Sequence, residues 1–142
     1  MTVSTASAVW EGGLKAGKGK YTAGSKSFEG GYTFATRFEG ARGTTPEELI
    51  AAAHAACLSM ALSADLEKAG NTPTRVSVTA SCTIEPVGGK STISKMKLQV
   101  RGTVPGMDQA AFAKAAEAAK EGCPVSQALK GNVPFEFDAR LA

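Results

Sequence analysis

The sequence predicts an α+β domain, a mainly antiparallel sheet packed against a long buried central helix and a second helix. Three observations carry this. The stretch Thr45 to Gly70 has helix signals at both ends and an almost wholly apolar middle. Arg75 to Glu85 alternates apolar and polar side chains with a period of two. After Pro105-Gly106, an apolar stripe recurs at helical spacing. The order strands, long helix, strands, helix, strand is that of an α+β domain rather than of repeated βαβ units. With 142 residues, a single domain over 1–142 is expected, long enough for one core.

Residues 1–38 read as β-structure punctuated by glycine. Ala6, Ala8 and Trp10 alternate with Ser7, Val9 and Glu11, and Gly12-Gly13 offers a hairpin turn. Gly17 to Gly24 reads as a short strand around Tyr21. Gly30-Gly31 then leads into a strand from Tyr32 to Phe38, with Tyr32, Phe34 and Phe38 on one face and Arg37 on the other. A loop over 39–44 precedes the central helix. Thr45 caps it, Pro46 occupies the first helical position, and Glu48 completes a capping box. Gly70 closes it, with Pro73 beyond. The helix spans about 24 residues and ~36 Å. Leu49 to Ala64 is apolar or small almost all round, so the helix is expected to be buried. Ala51, Ala52, Ala53, Ala55 and Ala56 would let another backbone come close. A second copy of the same helix across a two-fold axis would cover them. A membrane span needs ~20 apolar residues. This run is shorter and holds His54, Ser59 and Ser63, so no span is expected.

Val76, Val78, Ala80, Cys82 and Ile84 form the buried face of the next strand, which makes Cys82 a core residue without chemistry. Ser91 to Val104 returns antiparallel, with Met96, Leu98 and Val100 inward. Asp108 caps a helix of about 14 residues whose stripe is Ala111, Phe112, Ala115, Ala116 and Ala119. Gly122 stops it. Cys123 then stands at an N-cap with Pro124 behind it, opening a short helix. A last strand carries Phe135, Phe137, Ala139 and Leu141 on one face.

The net charge of +3 comes from scattered lysines and arginines with no basic run, which argues against a nucleic-acid partner. The start, MTVSTASAVWEGG, has no charged n-region or apolar h-region. Three cysteines in such a chain read as reduced thiols, and a cytoplasmic location is expected. There is no CxxC motif and no second histidine, so no metal site or other cofactor is expected.

The thiols differ in character. Cys123, at a helix N-terminus, gains partial positive charge that favours a thiolate. Cys57, in mid-helix among apolar residues, would have its pKa raised unless a cation were brought to it. The residues alone do not say which thiol attacks. His54 lies three residues before Cys57 on nearly the same helix face. That spacing permits a Cys–His hydrolase or acyltransferase, and equally a hydrogen-bonded core histidine. A non-enzymatic dimeric module binding a small hydrophobic ligand is a further reading.

Four segments together resemble the OsmC/Ohr family of thiol peroxidases. They are Thr36-Arg37-Phe38-Glu39-Gly40, Thr45-Pro46-Glu47-Glu48-Leu49-Ile50, Ala52-Ala53-His54-Ala55-Ala56-Cys57 and Gly122-Cys123-Pro124-Val125-Ser126. The resemblance covers nearly the whole chain and is greater to the OsmC branch. It implies an intertwined homodimer with the long helices at its centre. The implied activity is a cysteine-based peroxidase reducing organic hydroperoxides, and hydrogen peroxide less efficiently. On this resemblance Cys57 is the peroxidatic thiolate and Cys123 the resolving thiol, Arg37 stabilises the thiolate, and Glu47 holds the arginine. A dithiol recycles the disulfide, and dihydrolipoyl groups are the donor the family suggests. Helix geometry adds one expectation. Glu47 and Cys57 are ten residues apart, ~15 Å along one helix and on different faces. Arg37 and Glu47 are therefore expected to serve the partner subunit's Cys57, the two long helices crossing antiparallel.

Overall fold

A computed structural model describes all residues, Met1–Ala142. The chain forms two compact units, Met1–Pro46 and Glu47–Ala142. In the first, β1 (Ala6–Glu11), β2 (Lys18–Ala23) and β3 (Glu29–Tyr32) make an antiparallel sheet in that order. Gly19 of β2 lies opposite both Trp10 and Tyr32. The two aromatic rings close over it with centroids 5.5 Å apart, in space that a Cβ at this position would fill.

The sheet ends sooner than the alternation predicts. Residues Phe34–Phe38 form a short helix, α1, and not a strand. Thr33, in extended backbone, accepts a hydrogen bond from the Thr36 amide at 3.1 Å, and Thr36 Oγ1 accepts one from the Thr33 amide at 2.9 Å. This reciprocal capping box starts a helix. Phe34 and Phe38 are four residues apart, a spacing that satisfies a strand face and a helix face alike. In α1 their centroids are 5.1 Å apart.

The second unit holds α2 (Pro46–Lys68), β4 (Arg75–Val87), β5 (Lys90–Thr103), α3 (Gln109–Gly122), α4 (Pro124–Leu129) and β6 (Phe135–Leu141). The sheet order is β4-β5-β6, with β4 and β5 antiparallel and β6 parallel to β5. Met96, Leu98 and Val100 of β5 point into the core as the alternation predicts, and Leu58, Leu62 and Leu66 of α2 meet them there. Asp108 caps α3 by accepting from the Ala111 amide at 2.8 Å, and the helix buries Phe112, Ala116 and Ala119. Cys82 packs against this core at its margin.

The central helix is not buried all round. Leu58, Leu62 and Leu66 form one stripe at i, i+4 and i+8, whereas Ala52, Ala53, Ala56, Met60 and Ala64 are exposed, Met60 by 77%. A single sheet can cover only one face of a helix. By length and composition alone α2 could cross a membrane, but its leucine stripe belongs to the core cluster.

The seating of α3 on the sheet depends on Gly102. The Phe112 ring lies where a Cβ at this position would stand, and Phe112 is fully buried. Gly102→Ala is expected to destabilise the fold by about 1–3 kcal/mol, the usual cost of overpacking. The change should appear as a lower denaturation midpoint at unchanged slope.

Candidate active site

Cys123 occupies a junction between two helices. Its extended backbone (φ −63°, ψ 125°) ends α3 and begins α4. Its amide donates to the Ala119 carbonyl at 2.9 Å, and its carbonyl accepts from the Gln127 amide at 2.9 Å. Pro124 at the first helical position preorganises the turn. Because both backbone groups are engaged, the direction of the side chain is fixed. It points to the middle of α2, where Cys123 Sγ lies 3.0 Å from Cys57 Sγ. Both cysteines are free thiols, Cys123 fully buried and Cys57 half-buried.

One turn before Cys57, His54 is completely buried. Its Nε2 is 2.8 Å from Ser126 Oγ, and its ring meets the Phe135 ring edge-on, with centroids 5.3 Å apart. Nδ1 has no hydrogen-bond partner. The histidine is therefore tied to α4 and not to Cys57, and the Cys–His pair required by a hydrolase is not formed. Burial lowers the His54 pKa and keeps the ring neutral.

The two thiols are set apart by their surroundings. Burial pushes the Cys57 thiol up, and the neighbouring Cys123 thiol pushes it further, against a smaller opposing effect of the Val125 amide. Burial also raises Cys123. There it is outweighed by the Cys57 thiol, the amide and hydroxyl of Ser126, and the Val125 amide, so the thiol lies below its ordinary value. The amides act here by facing the sulfur, since the Cys123 side chain makes no complete capping hydrogen bond. Cys82 is pushed up by burial and by the Glu47 carboxylate, which keeps it a protonated thiol.

The structure positions the other two predicted site residues as follows. Glu47 is buried in the first turn of α2, and it shares that helix with Cys57. Arg37 belongs to the first unit, where its guanidinium lies 5.2 Å from the centre of the Phe38 ring. It borders a cleft of about 230 Å³ walled by Trp10, Leu14, Tyr32, Phe34 and Phe38. No three His, Cys, Asp or Glu side chains converge as a set of metal ligands. Ser126 is the residue that sequence reasoning passed over. The available signal was its place three residues after an N-cap, where a side chain reaches back to the cap.

Comparison with known proteins places this geometry in a family. The model for "OsmC-like protein" matches residues 39–138. Peroxiredoxin OsmC of Escherichia coli (strain K12) is 46% identical over 132 residues, 92% of each chain. An organic hydroperoxide resistance protein of Xanthomonas axonopodis pv. citri (strain 306) is 36% identical over 95 residues, 66% of this chain and 65% of its own. The crystal structure of the organic hydroperoxide resistance protein OhrB of Bacillus subtilis superposes with a TM-score of 0.75 at 25% identity, covering 97% of this chain and 98% of that one. The chain belongs to the OsmC-like protein family.

Proposed function

We propose that this member of the family is a two-cysteine peroxidase that reduces organic hydroperoxides, and hydrogen peroxide less efficiently, through Cys57 and Cys123. The observation that carries the reading is the 3.0 Å approach of the two sulfurs at the junction of α2 and α4. The Cys57 thiolate attacks the terminal oxygen of the hydroperoxide. The O–O bond breaks, and the alkoxide leaves and takes up a proton as the alcohol. Cys57 is left as a sulfenic acid. The Cys123 thiolate then attacks the Cys57 sulfur. An S–S bond forms, and the departing hydroxide is protonated to water. An external dithiol returns two electrons and two protons, and dihydrolipoyl groups are the proposed donor. The proposed setting is a cytoplasm that keeps thiols reduced.

Cys57 needs a cation, because burial alone raises its thiol. We assign this role to Arg37, held by Glu47 through a charge-assisted fork. Both are proposed to act on the partner subunit's Cys57 in an intertwined homodimer. Two features support the dimer: the exposed small-residue face of α2, and the ten-residue separation of Glu47 from Cys57 along one helix. On this reading the two units of the chain serve one functional domain, 1–142. The aromatic walls around Arg37 would take the apolar part of a bulky hydroperoxide.

The first test is peptide mapping after one equivalent of an organic hydroperoxide, with no reductant added. A Cys57–Cys123 disulfide with Cys82 still reduced is expected; three free thiols would refute the mechanism. The trans arrangement has its own test. Equal amounts of Cys57→Ser and Arg37→Ala subunits, unfolded and refolded together, form heterodimers in half of the pairings. Each heterodimer has one intact site of two, so about one quarter of the wild-type activity is expected. A site built within one chain would give none above the parents. Arg37→Gln is expected to lower turnover at pH 7 by about a hundredfold, since an opposite charge shifts a pKa by 1–3 units. The thiolate is the reactive form, and losing the cation raises the Cys57 pKa. Activity should therefore recover as pH rises, with the acid limb of the profile moved upward.

A further inference from the structure

We propose that His54 and Ser126 are positioning residues for Cys123: the buried imidazole donates from Nε2 to Ser126 Oγ, and so turns the single hydroxyl proton of Ser126 toward the Cys123 sulfur. The His54–Ser126 contact is 2.8 Å long and fully enclosed. A neutral imidazole has one N–H, and its tautomer decides where the serine proton goes. With the proton on Nδ1, Ser126 would donate to Nε2, and a buried N–H would be left unpaired, because Nδ1 has no partner. With the proton on Nε2, the ring donates to Ser126, and only a lone pair is left unpaired in the core. Orphaned buried N–H groups are the rarer of the two, so the second tautomer is favoured. Ser126 then stands three residues after Cys123, at the position from which a side chain returns to the N-cap. Its hydroxyl and amide both favour the Cys123 thiolate.

Burial keeps His54 neutral, so the single N–H of the Nε2 tautomer, and not an imidazolium, is the donor to Ser126. The groups that bear on Cys123 are Cys57 and His54 from α2 and the Val125 and Ser126 amides from α4. From α3 and β6 the shared cluster receives the apolar Ala119 and Phe135. A Cys123 thiolate so held is a better-populated nucleophile toward a Cys57 sulfenic acid. It is also the better leaving group when a reductant thiolate attacks Cys57 Sγ and the S–S electron pair passes to Cys123. These consequences for turnover rest on Cys123 as the resolving thiol; the donor relay itself does not.

The relay is tested in the full-length Cys57→Ser, Cys82→Ala background, which leaves Cys123 as the only thiol and a hydroxyl donor at position 57. Thiolate absorbance near 240 nm is followed against pH. Ser126→Ala and His54→Leu are each expected to lower the thiolate population at pH 7 about tenfold, an upward move of the midpoint by about one unit. His54→Gln keeps an N–H near the place of Nε2 and is expected to restore the parent titration. An unchanged midpoint in Ser126→Ala overturns the proposal. This variant removes a single oxygen and can be read even if His54→Leu does not fold. A His54→Gln titration like that of His54→Leu also overturns it, since an N–H near the place of Nε2 would then not be what matters. So does a His54→Leu midpoint that moves down, which would mark the ring as the acceptor of the serine proton. In the otherwise wild-type chain, Ser126→Ala is expected to slow peroxide-driven disulfide formation about tenfold. A shifted midpoint in a protein whose otherwise wild-type chain forms no Cys57–Cys123 disulfide with peroxide would uphold the relay and refute the resolving role of Cys123.

Discussion

The approach of α4 to the middle of α2 is the constraint on which the chemistry of the larger unit depends. Two sulfurs 3.0 Å apart are held there without a bond between them, so the core has to set the distance. On one side, the Leu58, Leu62 and Leu66 stripe fixes the rotation of α2 and with it the direction of Cys57. On the other, Phe112 seated over Gly102 fixes α3 on the sheet, and α3 ends where Cys123 emerges. Packed interiors do not deform smoothly. A shift of either helix would therefore separate the thiols by a whole packing step rather than by a fraction of an ångström.

The same packing creates an electrostatic difficulty and solves half of it. Helix N-terminal amides contribute about 0.3–1 kcal/mol to a nearby negative charge; in α4 both the Val125 and Ser126 amides favour the Cys123 thiolate, whereas the Val125 amide alone bears on Cys57. A full positive charge within ~4–6 Å moves a pKa by 1–3 units, at about 1.4 kcal/mol per unit. Burial raises the Cys57 thiol, and a charge of the second kind opposes that rise more strongly than helix amides do. In the proposed mechanism that charge comes from Arg37 of the partner subunit. On that account the exposed alanine face of α2 and the unmet electrostatic demand of Cys57 are one requirement.

Most elements were legible because single local patterns specify them. Asp108 and Pro124 mark the starts of α3 and α4, and the alternation of β4 and β5 fixes their inward faces. Residues 34–38 suit a strand as well as a helix because Phe34 and Phe38 fit both periods; the Thr33–Thr36 box decides for the helix. α2 reads as buried because its middle is apolar or small almost all round, with a second copy expected over the alanines; within one chain only the leucine stripe is covered. Of the site, the N-cap character of Cys123 could be read from the dipeptide Cys123-Pro124. The choice of Cys57 as the attacking thiol could not, since it came from family resemblance. The His54–Ser126 bond joins residues 72 apart, and no periodicity encodes such a pairing.

In the proposed mechanism the two thiols are served by different kinds of group, a division that the His54–Ser126 bond fits. At 3.0 Å, ionising one sulfur opposes ionising the other, and the protons leave as properties of the pair. A permanent cation beside Cys123 would hold it ionised from the start and suppress the Cys57 thiolate when peroxide arrives. Neutral donors do not impose this. While Cys57 is a thiolate, its charge disfavours ionisation of Cys123 despite the Ser126 hydroxyl. In the proposed mechanism Cys57 then becomes a neutral sulfenic acid, the repulsion is gone, and the same weak donors suffice to bring out the second thiolate. A buried histidine kept neutral by its surroundings can orient that hydroxyl without adding charge, which a lysine or arginine in its place could not do.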